Sequence, residues 1–419
     1  MKKSLFALAA TTAFAGAAQA QSSVTVYGLL DMGYVGYNTR AAEGNTGSKA
    51  VNKTTGNAFS SSAESTSRLG FKGTEDLGGG TSAFFTLELG VTPNSQQAVN
   101  SGSTQNRQTF VGLKKNGVGQ FALGTQYTVI HNAVAATDPG QANNIAGNLV
   151  YPAITEGAGS AENSTGAAYT VRTNNQLTLN SETFAGFKAN AMIMANAKNA
   201  NQTQVVSGTT STTTGGLNNQ SGWGLGVDYT WQKLYATANY QAITSKQSTQ
   251  TTNTAGTTLA TLLPAGAPAT GYGSGGSANG TNVQDNQWYV AATYDFGILK
   301  AYAQYINRKV SAQQNTGYYL SRSAEQIGVR SYITPTIEAW ASGGLGRYQG
   351  YGANTANMTA WQIGSNYWLS KRTNLYAIYG QQGTSNTSIP SNISGSAVVS
   401  ANPISTNISN YAIGVRHTF

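Results

Sequence analysis

Alternation of apolar and polar residues with a period of two dominates the chain. Trp223, Leu225, Val227, Tyr229 and Trp231 form an apolar row interleaved with Gly224, Gly226, Asp228 and Thr230, which is the pattern of a strand with one apolar and one polar face. The same pattern returns in Trp288, Val290, Ala292, Tyr294 and Phe296, and again at the end in Tyr411, Ile413, Val415, His417 and Phe419. On a water-facing strand such tryptophans are a liability. On a lipid-facing strand they sit at the two headgroup levels while the intervening Gly and Asp face a wet interior.

Segments of this kind recur at 24–37, 67–73, 81–90, 105–113, 120–127, 172–180, 187–196 and 222–231, and then at 234–243, 286–296, 299–310, 323–333, 337–348, 357–369, 373–383 and 409–419, sixteen in all. Connections between them alternate between short turns, such as Gln232-Lys233 and Thr334-Pro335-Thr336, and long stretches at 38–66, 128–171, 197–221, 244–285 and 384–408. A closed up-and-down barrel with short turns at one rim and long loops at the other produces this rhythm, and closure satisfies the strand edges that lipid leaves unpaired. The fold class predicted is all-β, a 16-stranded antiparallel transmembrane β-barrel with long extracellular loops. Tracts rich in Thr, Ser and Gly, at 209–216 and 271–280, read as solvated outer loops rather than domain linkers.

Residues 1–20, MKKSLFALAATTAFAGAAQA, carry Lys2 and Lys3, then an apolar stretch, then Ala18-Gln19-Ala20 as a small-x-small cleavage site. They predict a removed signal peptide, leaving one barrel domain over 21–419. No later stretch is long and apolar enough for a membrane helix. Composition sharpens the picture. Among 419 residues there are 50 Gly, 23 Tyr, 2 His and no Cys, and only 9% are charged, against roughly 25% in a soluble domain. Disulfide, thiolate and cysteine-nucleophile chemistry is excluded. The formal charge is +9, and its distribution matters more than its sum.

The run Ser67-Arg68-Leu69-Gly70-Phe71-Lys72-Gly73-Thr74-Glu75-Asp76-Leu77-Gly78-Gly79-Gly80 resembles the second strand and first periplasmic turn of the Gram-negative general porins, in the branch typical of beta-proteobacteria. So do Val24-Thr25-Val26-Tyr27-Gly28-Leu29-Leu30-Asp31, Arg107-Gln108-Thr109-Phe110-Val111-Gly112-Leu113 and Tyr367-Trp368-Leu369-Ser370-Lys371-Arg372-Thr373. The ending Gly414-Val415-Arg416-His417-Thr418-Phe419 is similar to that family's closing strand. The resemblance implies a homotrimer in outer-membrane lipid, a third extracellular loop at about 128–171 folded into the barrel to narrow it, and Phe419 as the C-terminal aromatic read by the barrel-assembly machinery. It also implies that Arg172 closes that loop. Thr125 stands where many relatives carry a basic residue, which weakens the case for strong anion preference.

Parity assigns faces. With Leu69 and Phe71 toward lipid, Arg68 and Lys72 point inward, as do Lys188, Lys300, Arg308, Arg330, Arg416 and Arg107. On the acidic side Asp31, Glu88, Asp228 and Asp295 point inward, and Asp138, Glu156 and Glu162 lie on the third loop. Arg68, Lys72, Arg107 and Arg172 facing Asp138 and Glu156 predict a transverse field across the narrowest section.

Other chemistry finds little support. A serine hydrolase needs a base, and the two candidates are His131 in the inserted loop, where loop pinning is the expected role, and His417 on a lipid-facing parity; no Gly-x-Ser-x-Gly occurs. Gly271-Tyr272-Gly273-Ser274-Gly275-Gly276 matches a dinucleotide fingerprint only literally, since no strand precedes it and no helix follows. Neither a transition-metal grouping nor a nucleic-acid groove is present in the pattern. The sequence therefore predicts a passive diffusion channel for small hydrophilic solutes and ions, with mild anion preference, no cofactor and no catalysis. A solute-specific channel, for which inward Tyr27, Tyr235, Tyr289 and Tyr302 would form an aromatic path, and a surface receptor working through its loops are the readings set against it.

Overall fold

The computed structural model describes residues 23–42, 51–96, 98–99, 106–152, 168–207, 210–247, 281–312, 319–350, 355–387 and 404–419. The leader, Glu156 and Glu162 lie outside them. The wall is built from β1 (Ser23–Ala42), β2 (Val51–Ser61), β3 (Arg68–Gly78), β4 (Thr81–Gly90), β5 (Asn106–Lys115) and β6 (Gly119–Tyr127). After helix α1 (Val129–Thr137) come β7 (Arg172–Ser181), β8 (Phe187–Ser207), β9 (Thr210–Trp231), β10 (Leu234–Gln247), β11 (Thr281–Asp295) and β12 (Lys300–Ala312). The last five are β13 (Tyr319–Tyr332), β14 (Ile337–Gly350), β15 (Ala356–Trp368), β16 (Thr373–Thr387) and β17 (Ile404–Thr418).

From β3 to β17 each strand pairs antiparallel with the next in the chain, and β17 returns to β1 with Leu29 opposite Thr418 and Ala42 opposite Ser405. The other edge of β1 pairs first with β3, Leu29 opposite Arg68, and farther along with β2, Met32 opposite Ser61. β2 and β3 therefore share one place in the wall, interrupted at 62–67. Seventeen segments make a closed barrel of sixteen positions, as the sequence predicts, and among the described residues no ladder is left open to lipid.

Parity holds around the wall. Leu225, Val227, Val290, Ile327, Ile363, Ile413 and Val415 are exposed on the outside. Outward aromatic pairs flank them, Trp223 with Tyr240 at 5.3 Å, Trp288 with Tyr305 at 4.9 Å and Trp361 with Tyr379 at 5.3 Å toward the long-loop rim, and Phe187 with Tyr229 at 4.5 Å toward the short-turn rim. Two such girdles are what amphipathic rings form at the edges of a hydrocarbon layer.

Two of the predicted long loops are largely strand. β1 runs on to Ala42 and β2 returns from Val51, and β8 and β9 climb together as far as Ser207 opposite Thr210. Thr-, Ser- and Asn-rich sequence loses its alternation of hydrophobicity once both faces are wet, so pattern goes silent where the ladder continues. The tract at 209–216 belongs mainly to this hairpin; the tract at 271–280 lies outside the described residues.

The interior is not empty. Thr128 caps α1, its Oγ1 accepting from the N–H of His131 at 3.3 Å, an exchange that satisfies one of the first-turn donors. Val129, Ile130, Ala133 and Val134 of the helix are buried with the inward Met192, Tyr289, Ala291 and Ile306 of the wall. An apolar core inside a barrel with a wet lumen exists because this loop crosses it.

Candidate functional site

The loop is seated by side chains from far around the wall. Gln362 on β15 donates to the carbonyls of Ile145 at 3.0 Å and Ala146 at 3.1 Å, and exchanges bonds with Asn143 at 2.8 and 2.9 Å. Gln326 on β13 accepts from the N–H of Leu149 at 3.0 Å, and Arg322 donates to the Leu149 carbonyl at 2.6 Å. Arg330 donates to the Pro139 carbonyl at 2.7 Å. At the tip the backbone nearly touches the wall. A Cβ on Gly380 of β16 would lie 1.7 Å from the Ala146 carbonyl oxygen, and Gly147 adopts φ +105°. Only glycine permits that approach.

The interruption at 62–67 forms the far end of the seat. Asn144 donates from its backbone to the Ala63 carbonyl at 3.0 Å and from its side chain to the Ser62 carbonyl at 2.7 Å. Asp31 holds this inward bend from below. Its carboxylate accepts from the N–H groups of Glu64 and Ser65 at 2.8 and 2.7 Å and from the Tyr376 hydroxyl at 2.6 Å. The predicted role of Asp31 as a charge lining the channel is corrected by its complete burial. Parity gave its face, but three donors converge there and use the carboxylate as a staple.

Asp138 is corrected in the same way. Instead of facing the basic wall, it accepts from the N–H of Ala142 at 2.7 Å, from Asn148 at 2.8 Å and from Gln326 at 3.2 Å. Burial pushes its carboxyl above the ordinary carboxylate range, opposed by the Ala142 and Asn148 donors and by the nearby Arg330 guanidinium. The loop presents its acid to its own seat. Of the predicted loop acids Glu156 lies outside the described residues.

On the β3–β7 side the predicted basic residues do come together. Glu88 accepts from Arg107 Nε at 2.7 Å and from the Tyr27 hydroxyl at 3.0 Å, and Arg68 Nη1 lies 3.9 Å away. Arg107 also donates to the Tyr127 hydroxyl at 2.6 Å. Arg172 lies over the Tyr127 ring at 5.6 Å, and Lys72 over the Tyr27 ring at 5.3 Å. Solvent reaches these cations unequally. Arg107 and Arg172 are 1% and 3% exposed, whereas Lys72 is open to the lumen and the Arg68 side chain is 21% exposed. His131 stacks on Tyr127 at 4.2 Å and meets the Tyr169 hydroxyl at 3.0 Å. It pins the loop.

Sequence reasoning missed the acids that neutralise much of the wall. Asp285 is bridged to Arg308 at 2.7 Å, Glu64 to Arg416 at 3.4 Å, and Glu338 to Arg330. Asp285 and Glu64 fall in stretches read as loop, where no parity applies. Glu338 shares an inward row with Trp340, an aromatic that hides a lumen face. Among the described residues Lys72, Lys188, Lys300 and Arg322 make no ion pair, and neither do Asp31, Asp138, Asp228 and Asp295; the ten cations at 68, 72, 107, 172, 188, 300, 308, 322, 330 and 416 outnumber the eight acids at 31, 64, 88, 138, 228, 285, 295 and 338 by two. Tyr27, Tyr235, Tyr289 and Tyr302 all point inward but do different work. Tyr235 donates to Asp228 at 3.0 Å, and Tyr289 is buried against Thr137 of the loop at 2.5 Å.

An edgeless antiparallel barrel, apolar without and charged within, narrowed by an inserted loop, has the architecture of an outer-membrane β-barrel. The chain belongs to the Gram-negative porin family, whose model matches residues 7–387. It is 35% identical to an outer membrane porin protein of Bordetella pertussis over 34% of this chain and 39% of that one, and 35% identical to outer membrane porin protein 32 of Delftia acidovorans over 45% and 48%. It thus spans less than half the length of these curated relatives. Among solved structures, an anion-selective porin from Comamonas acidovorans superposes with TM-score 0.63 at 19% identity, over 95% of this chain and 100% of that one. The trimer form of OmpT from Vibrio cholerae gives 0.57 at 14%, over 95% and 99%. These two likenesses concern the fold.

Proposed function

We propose that the protein is a general diffusion porin, a homotrimeric passive channel for small hydrophilic solutes and ions with mild anion preference, exported through cleavage after Ala20 and assembled with Phe419 as its terminal signal. The mechanism has no reaction step. Sixteen strands enclose more than side chains fill, so flux follows the cross-section that the loop leaves and the charge on its wall.

The observation that carries the reading is the unequal charge of the narrowed lumen. Acids on the wall are largely bonded to buried arginines, and the open cations Arg68 and Lys72 sit across from a loop whose carboxylate at Asp138 is turned into its seat. A solute meets a small positive excess rather than a strong transverse field, which suits weak anion preference. The family and the porins among the relatives support the channel role; the trimer form of the structural neighbour OmpT supports the oligomer. Solute flux into liposomes loaded with the purified oligomer tests the reading. Swelling rates that fall smoothly with solute size, without saturation by one sugar or amino acid, are expected; saturation at low concentration would replace it with a solute-specific channel.

A further inference from the structure

One arginine of the inner wall is both hidden and uncompensated. Arg107, Arg308, Arg330 and Arg416 each carry a carboxylate, from Glu88, Asp285, Glu338 and Glu64. Arg322 of β13 carries none. It is 1% exposed, its Nε donates to the Tyr348 hydroxyl at 3.1 Å and its Nη2 to the Leu149 carbonyl at 2.6 Å. The guanidinium lies over the Tyr348 ring at 5.5 Å, and Nη1 is buried without a hydrogen-bond partner. Directly opposite on β12 stands a like charge, Arg308, which Asp285 of β11 neutralises. On the other side, beyond Gln326, Asp138 is bonded to donors of its own loop.

Burying a charge without a counter-charge is costly, and the seat of the loop does not require one. Gln362 donates to the Ile145 and Ala146 carbonyls, and Gln326 accepts from the N–H of Leu149. Neutral amides thus make the same kind of contact on the same loop. What the guanidinium adds to an amide is a charge held at a fixed place.

We propose that Arg322, which permeating ions do not touch, is the residue that maintains the anion preference of the channel in concentrated salt. Cations open to the lumen, such as Lys72, gather counterions, and their reach falls from about 10 Å at 0.1 M salt to about 3 Å at 1 M. Around Arg322 the loop, Tyr348 and the wall exclude a counterion, so screening begins only where lumen water begins. Even at the dielectric of bulk water, a unit charge about 10 Å from a passing ion enriches anions and depletes cations by about twofold each. The inference rests on the mild anion preference proposed above and assigns its salt-resistant part to a residue outside the open set of Arg68 and Lys72.

The test is the reversal potential of single channels under KCl gradients centred near about 0.1 M and near about 1 M. Arg322→Gln keeps a donor for Leu149 and removes the charge; the chloride-to-potassium permeability ratio is expected to fall on the order of twofold at both concentrations. The effect of Lys72→Gln is expected to fade at the higher one. Tyr348→Glu keeps the guanidinium and gives it a carboxylate, so it should reproduce the shift of Arg322→Gln, whereas Tyr348→Phe should not; this pair reads the charge without removing the arginine's bond to the loop. An unchanged ratio in Arg322→Gln, a shift that fades with salt as that of Lys72→Gln does, or equal ratios in Tyr348→Glu and Tyr348→Phe would overturn the proposal. A wild-type channel without chloride preference at the lower salt would remove the reading beneath it, an outcome visible before any variant is made.

Discussion

Glu88 concentrates the chemistry of the lumen wall in one carboxylate. It meets Arg107 directly, Arg68 at the edge of ion-pair distance and the Tyr27 hydroxyl on its other oxygen. Charges this buried matter to folding first and to permeation second. Replacing Arg107 by Ser leaves a buried carboxylate with weaker partners, a loss of about 3–5 kcal/mol, expected as a lower unfolding temperature of the oligomer on heated gels. Arg68→Ser combined with Lys72→Gln removes two open cations instead. That variant should lose less unfolding temperature than Arg107→Ser, Arg68 giving up its bonds to Thr66 and Ser65, and shift the chloride-to-potassium permeability ratio toward potassium on the order of twofold. An unchanged ratio would mean that ions pass elsewhere in the cross-section.

At the scale of elements the inserted loop decides the channel. It is held by amides more than by charges: Gln362 alone contributes bonds to Asn143, Ile145 and Ala146. Gln362→Ala should loosen the tip and appear as greater open-channel noise and a larger solute cutoff, without loss of the barrel. Gly380→Val is the steric counterpart. Any Cβ there collides with the Ala146 carbonyl, so this variant should move the tip off the wall and reproduce the same phenotype; wild-type noise and cutoff in both would contradict the seat described here. The strands were legible in the sequence because a barrel wall writes its two solvents into alternate residues, and Arg68 and Glu88 could be placed inward on that ground alone; Arg107 shares its parity with the outward Val111 and Leu113 and turns inward at the register shift between β4 and β5. The seat was not legible. Gln326, Gln362, Asn143 and Asn148 are ordinary polar residues until the loop folds back, an inward Asp31 looks the same to parity whether it faces water or a ring of N–H donors, and Asp138 lies on a loop to which parity does not apply.

As a whole molecule, the barrel is completed by its last residue. Phe419 exchanges two backbone bonds with Gly28, each 3.1 Å, and its ring covers the space that a Gly28 side chain would take. Deleting Phe419 removes the last rung between β17 and β1, and the expected result is a fall in assembled oligomer with normal conductance from the molecules that do insert. Normal yield would remove the proposed role of this terminus. The central claim is that closed wall, inserted loop and small positive excess together make a wide, weakly selective pore, and one measurement addresses all three. Single-channel recording of the detergent-purified oligomer in a planar bilayer under a KCl gradient should give large ohmic steps in groups of three and a reversal potential displaced modestly to the chloride side. Absence of steps, or a reversal potential on the potassium side, would contradict the account.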